Sequence, residues 1–165
     1  VRDMVARGTT HARTDVDVGV EVGREHLHGV LAMRESNRDW TDVEIVAFPQ
    51  SGVMIQPGTL DLLDIAVLEG PGFVGGLDPQ GIDGDTNGQL DAIFATAARR
   101  GCGIDINLHD RGEVGAATIE LIGERTKSLG LAGRVAISLR SVWGCSSRRG
   151  WSRCSRCCAT TTSRS

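Results

Sequence analysis

The sequence predicts an α/β fold in which parallel strands alternate with helices, closed like part of a (β/α)8 barrel of the TIM type. Strand-like and helix-like segments alternate roughly every 30 residues, giving about four strand-helix units and one last strand. Polar residues stand at several successive strand ends, where the loops of a barrel converge. An open doubly wound sheet is the alternative. Because the chain lacks a phosphate-binding Gly-x-Gly-x-x-Gly turn after its first strand, we favour the barrel.

The first predicted unit is a strand followed by a helix. Residues 9–18 alternate polar and less polar side chains and are rich in Thr and Val, which predicts a strand ending near Asp17. A helix is expected over residues 22–35 and contains His26 and His28. Positions two apart on a helix point in different directions, so we do not expect these two histidines to bind a metal together.

The second predicted unit begins with the apolar segment 42–50. Pro49 stops this strand and leaves Gln50 at its carboxyl end. The apolar positions of residues 58–68 have the spacing of an amphipathic helix, which the Gly-Pro-Gly sequence at 70–72 ends.

The third predicted unit starts with a short buried strand that runs into a turn at residues 73–79. Residues 81–87 resemble a calcium-binding loop, but the full ligand spacing and the terminal Glu are missing, so we interpret them as an ordinary polar loop. Residues 89–100 have one apolar face, which predicts a helix.

The fourth unit carries the most informative segment of the chain, residues 103–113. It begins as an apolar strand and ends in a group of ionisable residues, the form of a strand that brings reactive side chains to a barrel mouth. Asn107 and His109 lie two apart and would point to the same side of a strand. A strand end with a solvated polar loop is the alternative interpretation. A helix over residues 116–129 and a last strand from 135 to 138 complete the pattern.

Composition predicts a cytoplasmic protein with an ordinary buried core. The chain has 165 residues, 40% hydrophobic and 24% charged, with a net charge of -3. No apolar run approaches the roughly 20 residues that span a bilayer, so we expect no membrane partner. The chain begins at Val1 without Met, from which we expect that a front segment is missing.

Five motifs identify a family resemblance. They are GTTHART at 8–14, IVAFPQ at 45–50, GLDP at 76–79, IDI with LHD at 104–106 and 108–110, and RVAIS at 134–138. In order and spacing they resemble the cytosine deaminase-like branch of the amidohydrolase superfamily. The resemblance extends over about residues 6 to 138 and implies roughly strands 2 to 6 of the barrel, with the intervening helices.

The resemblance implies hydrolysis of a carbon-nitrogen bond. In the family a divalent metal, zinc or iron, activates a water molecule that attacks a carbon bearing an amino or substituted amino group. The implied substrate is a small nitrogen heterocycle, a cyclic amidine such as an aminated pyrimidine or triazine. The metal ligands are a His-x-His pair on the first strand, a His on each of the fifth and sixth, and an Asp on the eighth.

Residue by residue, the resemblance covers only part of such a site. Gln50 matches a Gln that contacts the substrate ring, and Asp110 matches the carboxylate that shuttles the proton, with a purely structural role as its alternative. Asn107 stands at the position of the fifth-strand metal His and is a poorer ligand. His109 is a weak substitute ligand or supports a neighbour. Asp15 also stands where the family commonly has His.

The chain divides at residue 138 into a partial barrel, 1–138, and an Arg-, Ser- and Cys-rich tail, 139–165. The family continues after Ile-Ser with His-Ala-Phe. With suitable codons, the loss of one nucleotide after Ser138 turns that continuation into the observed residues, so we interpret the tail as out-of-frame and disordered. The rival hypothesis is a zinc site formed by its cysteines, with arginines that bind nucleic acid. These cysteines are Cys145, Cys154, Cys157 and Cys158.

The sequence therefore predicts a fragment of a metal-dependent amidohydrolase that is inactive as this chain. We do not expect nucleic acid as a partner. Missing strands would leave open sheet edges and apolar helix faces, which favours aggregation or oligomers. The competing hypothesis is a non-enzymatic binding scaffold with a functional tail.

Overall fold

The computed structural model describes residues 1–139, in which five parallel strands pair in sequence order. The strands are β1 (His11–Asp17), β2 (Asp42–Phe48), β3 (Phe73–Leu77), β4 (Gly103–Leu108) and β5 (Val135–Leu139). The helices are α1 (Arg2–Ala6), α2 (Glu25–Ser36), α3 (Thr59–Leu68), α4 (Thr86–Arg100) and α5 (Gly112–Ser128). The predictions made for residues 140–165, including the zinc and nucleic-acid hypotheses, lie outside the described residues.

The predicted strand-helix order is confirmed, with ends that differ by a few residues. The third crossover helix, α4, begins at Thr86 rather than at 89, because Asp85 caps it by accepting a hydrogen bond from the Gly88 N–H at 2.8 Å. The same helix ends at Arg100 and is capped by Gly101, which adopts a left-handed conformation with φ of 70°. Helix α1 was not predicted; it has five residues, none of them buried.

The main core lies between the convex face of the sheet and the helices. The sheet contributes Ile45, Ala47, Val74, Ile104 and Ile106. The helices contribute Leu27, Leu63, Leu90, Ile93, Phe94 and Ile122. Each fully buried Leu or Ile side chain stabilises the fold by about 1.5–3 kcal/mol. Within residues 1–139, none of the helices is long and apolar enough to cross a membrane.

The sheet is curled, which confirms the barrel-like closure over the open doubly wound sheet. Arg13 on β1 donates from a terminal guanidinium nitrogen to Asp105 Oδ2 on β4 at 2.8 Å, although β2 and β3 lie between these strands. Three strand spacings of about 4.8 Å would separate β1 and β4 by about 14 Å in a flat sheet. The structure is therefore a half-barrel with a concave inner face.

Two glycines on the inner face make room for aromatic rings. A Cβ atom at Gly103 would lie 2.5 Å from the Phe73 ring, and one at Gly75 would lie 2.5 Å from Cδ2 of Phe48. The Phe73 ring in turn lies 4.0 Å from the Arg13 guanidinium carbon, measured to the ring centroid. These close approaches set the position of Arg13 on the concave face.

Candidate active site

The carboxyl ends of β2, β3 and β4 bring the sequence-predicted site residues to one edge of the half-barrel. Gln50 follows β2, and His109 and Asp110 follow β4. Asp78, which follows β3, lies between them along the sheet. Because all strands are parallel, these loops meet at the end where (β/α)8 barrels place their reacting groups.

Asn107 lies within β4 and reaches across the concave face to β1. Its Nδ2 donates to Asp15 Oδ2 at 2.8 Å. A carboxylate accepts hydrogen bonds and does not donate them, so the amide nitrogen of Asn107 faces Asp15. The amide oxygen is the only acceptor of this side chain. The two positions at which the family commonly has His thus form a hydrogen-bonded pair with each other.

His109 is oriented by Asp78. Its Nδ1 lies 3.0 Å from Asp78 Oδ2, so the neutral imidazole carries its proton on Nδ1 and leaves Nε2 as an acceptor. Asp78 Oδ1 also accepts from the backbone N–H groups of His109 and, at 3.1 Å, of Asp110. Asp78 itself has a φ of 34°, a conformation unfavourable for a residue with a side chain, which these three hydrogen bonds stabilise. Asp78 therefore fixes the end of β4.

Asp110 packs against the loop that follows β3. Its Oδ2 accepts from the Gly81 backbone N–H at 3.3 Å. A Cβ atom at Gly81 would lie 2.6 Å from Asp110 Oδ1, so a side chain at this position would displace the carboxylate. The loop therefore holds one carboxylate oxygen of Asp110.

Gln50 is exposed in a tight turn beyond β2. Its backbone N–H donates to the Phe48 carbonyl at 3.2 Å and lies 3.4 Å from Asp17 Oδ1. The turn is closed by a hydrogen bond from the Gly52 N–H to the Pro49 carbonyl at 3.1 Å. The backbone of Gln50 is thus positioned, while its side chain faces solvent at the barrel mouth.

A charged cluster lies deeper on the concave face and escaped the sequence analysis. Arg13 donates to Glu44 and to Asp105, and Ser138 donates to the other oxygen of Asp105 at 3.1 Å. Desolvation opposes the charge of Arg13, but the hydrogen bonds to Asp105 and Glu44 outweigh it and raise the Arg13 pKa above its ordinary value. The polar alternation of β1 and the single acid in the apolar strand β4 are the signals that could have identified this cluster.

A second buried network lies behind the mouth, in the loop interpreted above as an ordinary polar loop. Asp83 is 7% exposed and accepts from the Val53 backbone N–H at 3.0 Å and from Gln89 Nε2 at 2.7 Å. Gln89 is fully buried, and within the described part of the chain its Oε1 finds no hydrogen-bond donor. An unsatisfied buried acceptor costs about 1–3 kcal/mol. The predicted loop is present up to Asp85, and the burial of Asp83 within it was not predicted.

The donor set of residues 1–139 does not fit a metal centre. No group of three or more His, Cys, Asp or Glu side chains is placed there to hold a metal ion. A catalytic zinc site takes about three protein ligands. Asn107 directs its amide nitrogen to Asp15, and His109 uses Nδ1 on Asp78. In α2, His28 pairs with Glu69 through Nε2 at 3.1 Å.

Solved structures place the half-barrel among known enzymes. N-isopropylammelide isopropylaminohydrolase from Burkholderia multivorans ATCC 17616 superposes with a TM-score of 0.81 at 47% identity, over 82% of this chain and 35% of that one. The 5-methylcytosine deaminase from Klebsiella pneumoniae, liganded with phosphonocytosine, superposes with a TM-score of 0.73 at 25% identity, over 82% of this chain and 34% of that one. The chain is a relative of the cytosine deaminase-like amidohydrolases. The family resemblance predicted from the five motifs is therefore confirmed.

Curated proteins give the same relationship. The chain is 34% identical over 134 residues to N-isopropylammelide isopropyl amidohydrolase of Pseudomonas sp. (strain ADP), and the match covers 81% of this chain and 33% of that protein. It is equally 34% identical over 134 residues to the uncharacterized protein YahJ of Escherichia coli (strain K12), covering 29% of that protein. The chain thus spans about a third of the length of the curated relatives it matches. No family model matches it.

Proposed function

We propose that the half-barrel is the ring-binding and proton-transfer part of an amidohydrolase acting on cyclic amidines, such as aminated pyrimidines or triazines. The main support is that Gln50, His109 and Asp110 all follow the carboxyl ends of strands at one edge of the curled sheet, in a chain related to deaminating hydrolases. We also propose that the 165-residue chain does not complete the hydrolysis alone, because residues 1–139 lack the donors of a metal centre.

Each of the three residues has a chemical role in this proposal. The amide of Gln50 both donates and accepts hydrogen bonds, which matches the neighbouring N–H and carbonyl or imine nitrogen of a cyclic amidine. Asp110 accepts a proton from the attacking water and returns it to the leaving nitrogen. His109 offers Nε2 as an acceptor beside it, because Asp78 holds Nδ1.

The non-enzymatic alternative assigns function to the Cys- and Arg-rich tail, which would bind zinc or nucleic acid. It predicts that the chain binds zinc and that this zinc is lost when the four tail cysteines are replaced by Ser. It also predicts nucleic-acid binding that weakens steeply with salt. The amidohydrolase proposal predicts neither.

The test is a calorimetric titration of the full chain with cytosine and with an aminotriazine, with ammonia release and metal content measured on the same sample. We expect ring binding without turnover and well below one metal per chain. Gln50→Ala should weaken binding about tenfold, the effect of losing about one hydrogen bond. Glu35→Ala, on the exposed surface of α2, is the control and should bind like the parent chain. Absence of ring binding would overturn the first part of the proposal, and turnover the second.

A further inference from the structure

The loop that carries Gln50 is hydrogen-bonded to a buried carboxylate of the next loop, that of Asp83. This β2–α3 loop comprises residues 49–58, and the β3–α4 loop comprises residues 78–85. Asp83 of the β3–α4 loop is 7% exposed and accepts from the Val53 N–H with both oxygens, at 3.0 and 3.1 Å. Its Oδ1 also lies 3.5 Å from the Ile55 nitrogen. Hydrogen bonds to a charged acceptor are stronger than neutral ones, so Asp83 links the two loops firmly.

The contact continues into the turn that contains Gln50. Gly52 closes that turn by donating to the Pro49 carbonyl at 3.1 Å, and it has a φ of 92°. A Cβ atom at Gly52 would lie 2.4 Å from Asp83 Oδ1. The backbone of the turn therefore rests directly on the Asp83 carboxylate, while Asp17 supports it from the other side.

Gln89 anchors this carboxylate to the sheet. Its Nε2 donates to Asp83 Oδ2 at 2.7 Å and to the carbonyl of Leu77, the last residue of β3, at 3.0 Å. A flipped amide would direct its oxygen at both acceptors, so the observed orientation is imposed. Within residues 1–139 this leaves Gln89 Oε1 buried without a donor, which costs free energy. An apolar residue would avoid that cost but would not hold Asp83.

We infer that Asp83, fixed by Gln89, is a positioning residue that holds the β2–α3 loop and so places Gln50 over the barrel mouth. The inference deepens the proposed function, because it uses the ring-contacting role of Gln50. Asp83 does not itself reach the mouth; it acts through the backbone of residues 52–55.

The first test compares Asp83→Asn with Asp85→Asn in the full chain. Asp85 is a matched control in the same loop, because its carboxylate also accepts a backbone N–H, but from Gly88 of its own helix, at 2.8 Å. In Asp83→Asn we expect the order parameter of the Gln50 amide to fall from about 0.85 to below about 0.6. We expect cytosine to bind about tenfold more weakly. Asp85→Asn should leave both values unchanged.

A second pair of variants covers the case in which Asp83→Asn does not fold. Gly52→Ala disturbs the same contact from the other side, whereas Gly84→Ala has a comparable left-handed backbone, with φ of 66°, and open space around the added methyl group. We expect Gly52→Ala to disorder Gln50 and to weaken cytosine binding, and Gly84→Ala to do neither.

The outcomes separate the inference from the proposal on which it rests. If Asp83→Asn and Gly52→Ala lower stability but leave the order of Gln50 and cytosine affinity unchanged, Asp83 is merely structural and the inference is wrong. If the parent chain binds no cytosine or aminotriazine, the proposed function fails. The order of Gln50 in the ligand-free chain then still decides whether Asp83 positions it.

Discussion

Asp105 is a buried acid that accepts hydrogen bonds from strands at both ends of the sheet. It is 4% exposed, and its two oxygens accept from Arg13 on β1 and from Ser138 on β5. Removing one partner of a buried pair leaves a charge without compensation, which costs more than the pair contributes relative to an apolar replacement. The net contribution of the pair to stability is therefore smaller than the cost of removing one partner.

At this site we predict that Arg13→Met lowers the free energy of unfolding by about 2 kcal/mol, less than for a fully buried pair because Arg13 is partly exposed. Adding Asp105→Asn should recover part of that loss, because the uncompensated charge is then gone. Urea unfolding of both single variants and the double variant measures the coupling. Arg38→Met is the control, since its pair with Glu35 lies in solvent and should change stability by less than about 0.5 kcal/mol. Additive effects at Arg13 and Asp105 would contradict the prediction.

Helices α3 and α4 are joined on the outer surface by one acid and two bases. Asp64 of α3 accepts from Arg99 at 2.7 Å and from Arg100 Nε at 3.0 Å. Hydrogen bonds from Arg100 and then Arg99 outweigh desolvation and lower the pKa of Asp64 from 3.8 to about 2. Both arginines lie in the last turn of α4, where their positive charges interact favourably with the negative end of the helix dipole.

This contact predicts a defined pH dependence. Because the folded-state pKa of Asp64 is depressed, its contribution to stability is present above the ordinary pKa of 3.8 and is lost as the pH falls through about 2. Asp64→Asn should therefore cost about 1 kcal/mol at pH 7 and progressively less as the pH falls through about 2, where Asp64 becomes protonated in the folded state. Asp61→Asn, on an exposed position of the same helix, is the control. Urea unfolding from about pH 1 to pH 7 measures the difference, and a deficit at about pH 1 as large as that at pH 7 would refute the electrostatic explanation.

For the whole molecule, the strand-helix alternation could be predicted because it depends on local periodicity and turn residues. The common edge of Gln50, His109 and Asp110 could be predicted for the same reason, since parallel strands share their carboxyl edge. The hydrogen-bond partners of these residues could not be predicted from the sequence. Asp78 and Asp83 make their contacts across about 30 positions of the chain, and spacing carries no signal for such contacts.

The unpredicted features of the fold have similar physical causes. The hydrogen bond between Arg13 and Asp105, which spans the concave face, joins residues 92 positions apart in the chain. Helix α1 has no buried residue and therefore no apolar period to detect. Residues 81–87 were expected to form an ordinary polar loop, and the burial of Asp83 depends on hydrogen-bond donors that only the folded chain supplies.

The described half-barrel has an open strand edge at each end of its sheet. Within residues 1–139, β1 pairs only with β2, and β5 pairs only with β4. An unpaired strand edge is a template for another chain. Thr10 accepts from Asp42, and Val18 donates to Phe48, so even-numbered positions of β1 direct their backbone groups to β2. The odd-numbered positions, beginning with His11, therefore direct theirs to the open edge.

We predict that the chain self-associates through this edge and that His11→Pro reduces the association without unfolding the protein. Proline is tolerated at the first residue of a strand, and here it removes an outward N–H. Ala12→Pro is the matched contrast: it removes an N–H directed to β2, leaves the partner carbonyl without its donor, and should destabilise the fold by about 1–3 kcal/mol. Sedimentation velocity over a range of concentrations measures association, and circular dichroism measures folding. If folded His11→Pro associates as strongly as the parent chain, contacts other than the β1 edge hold the oligomer together.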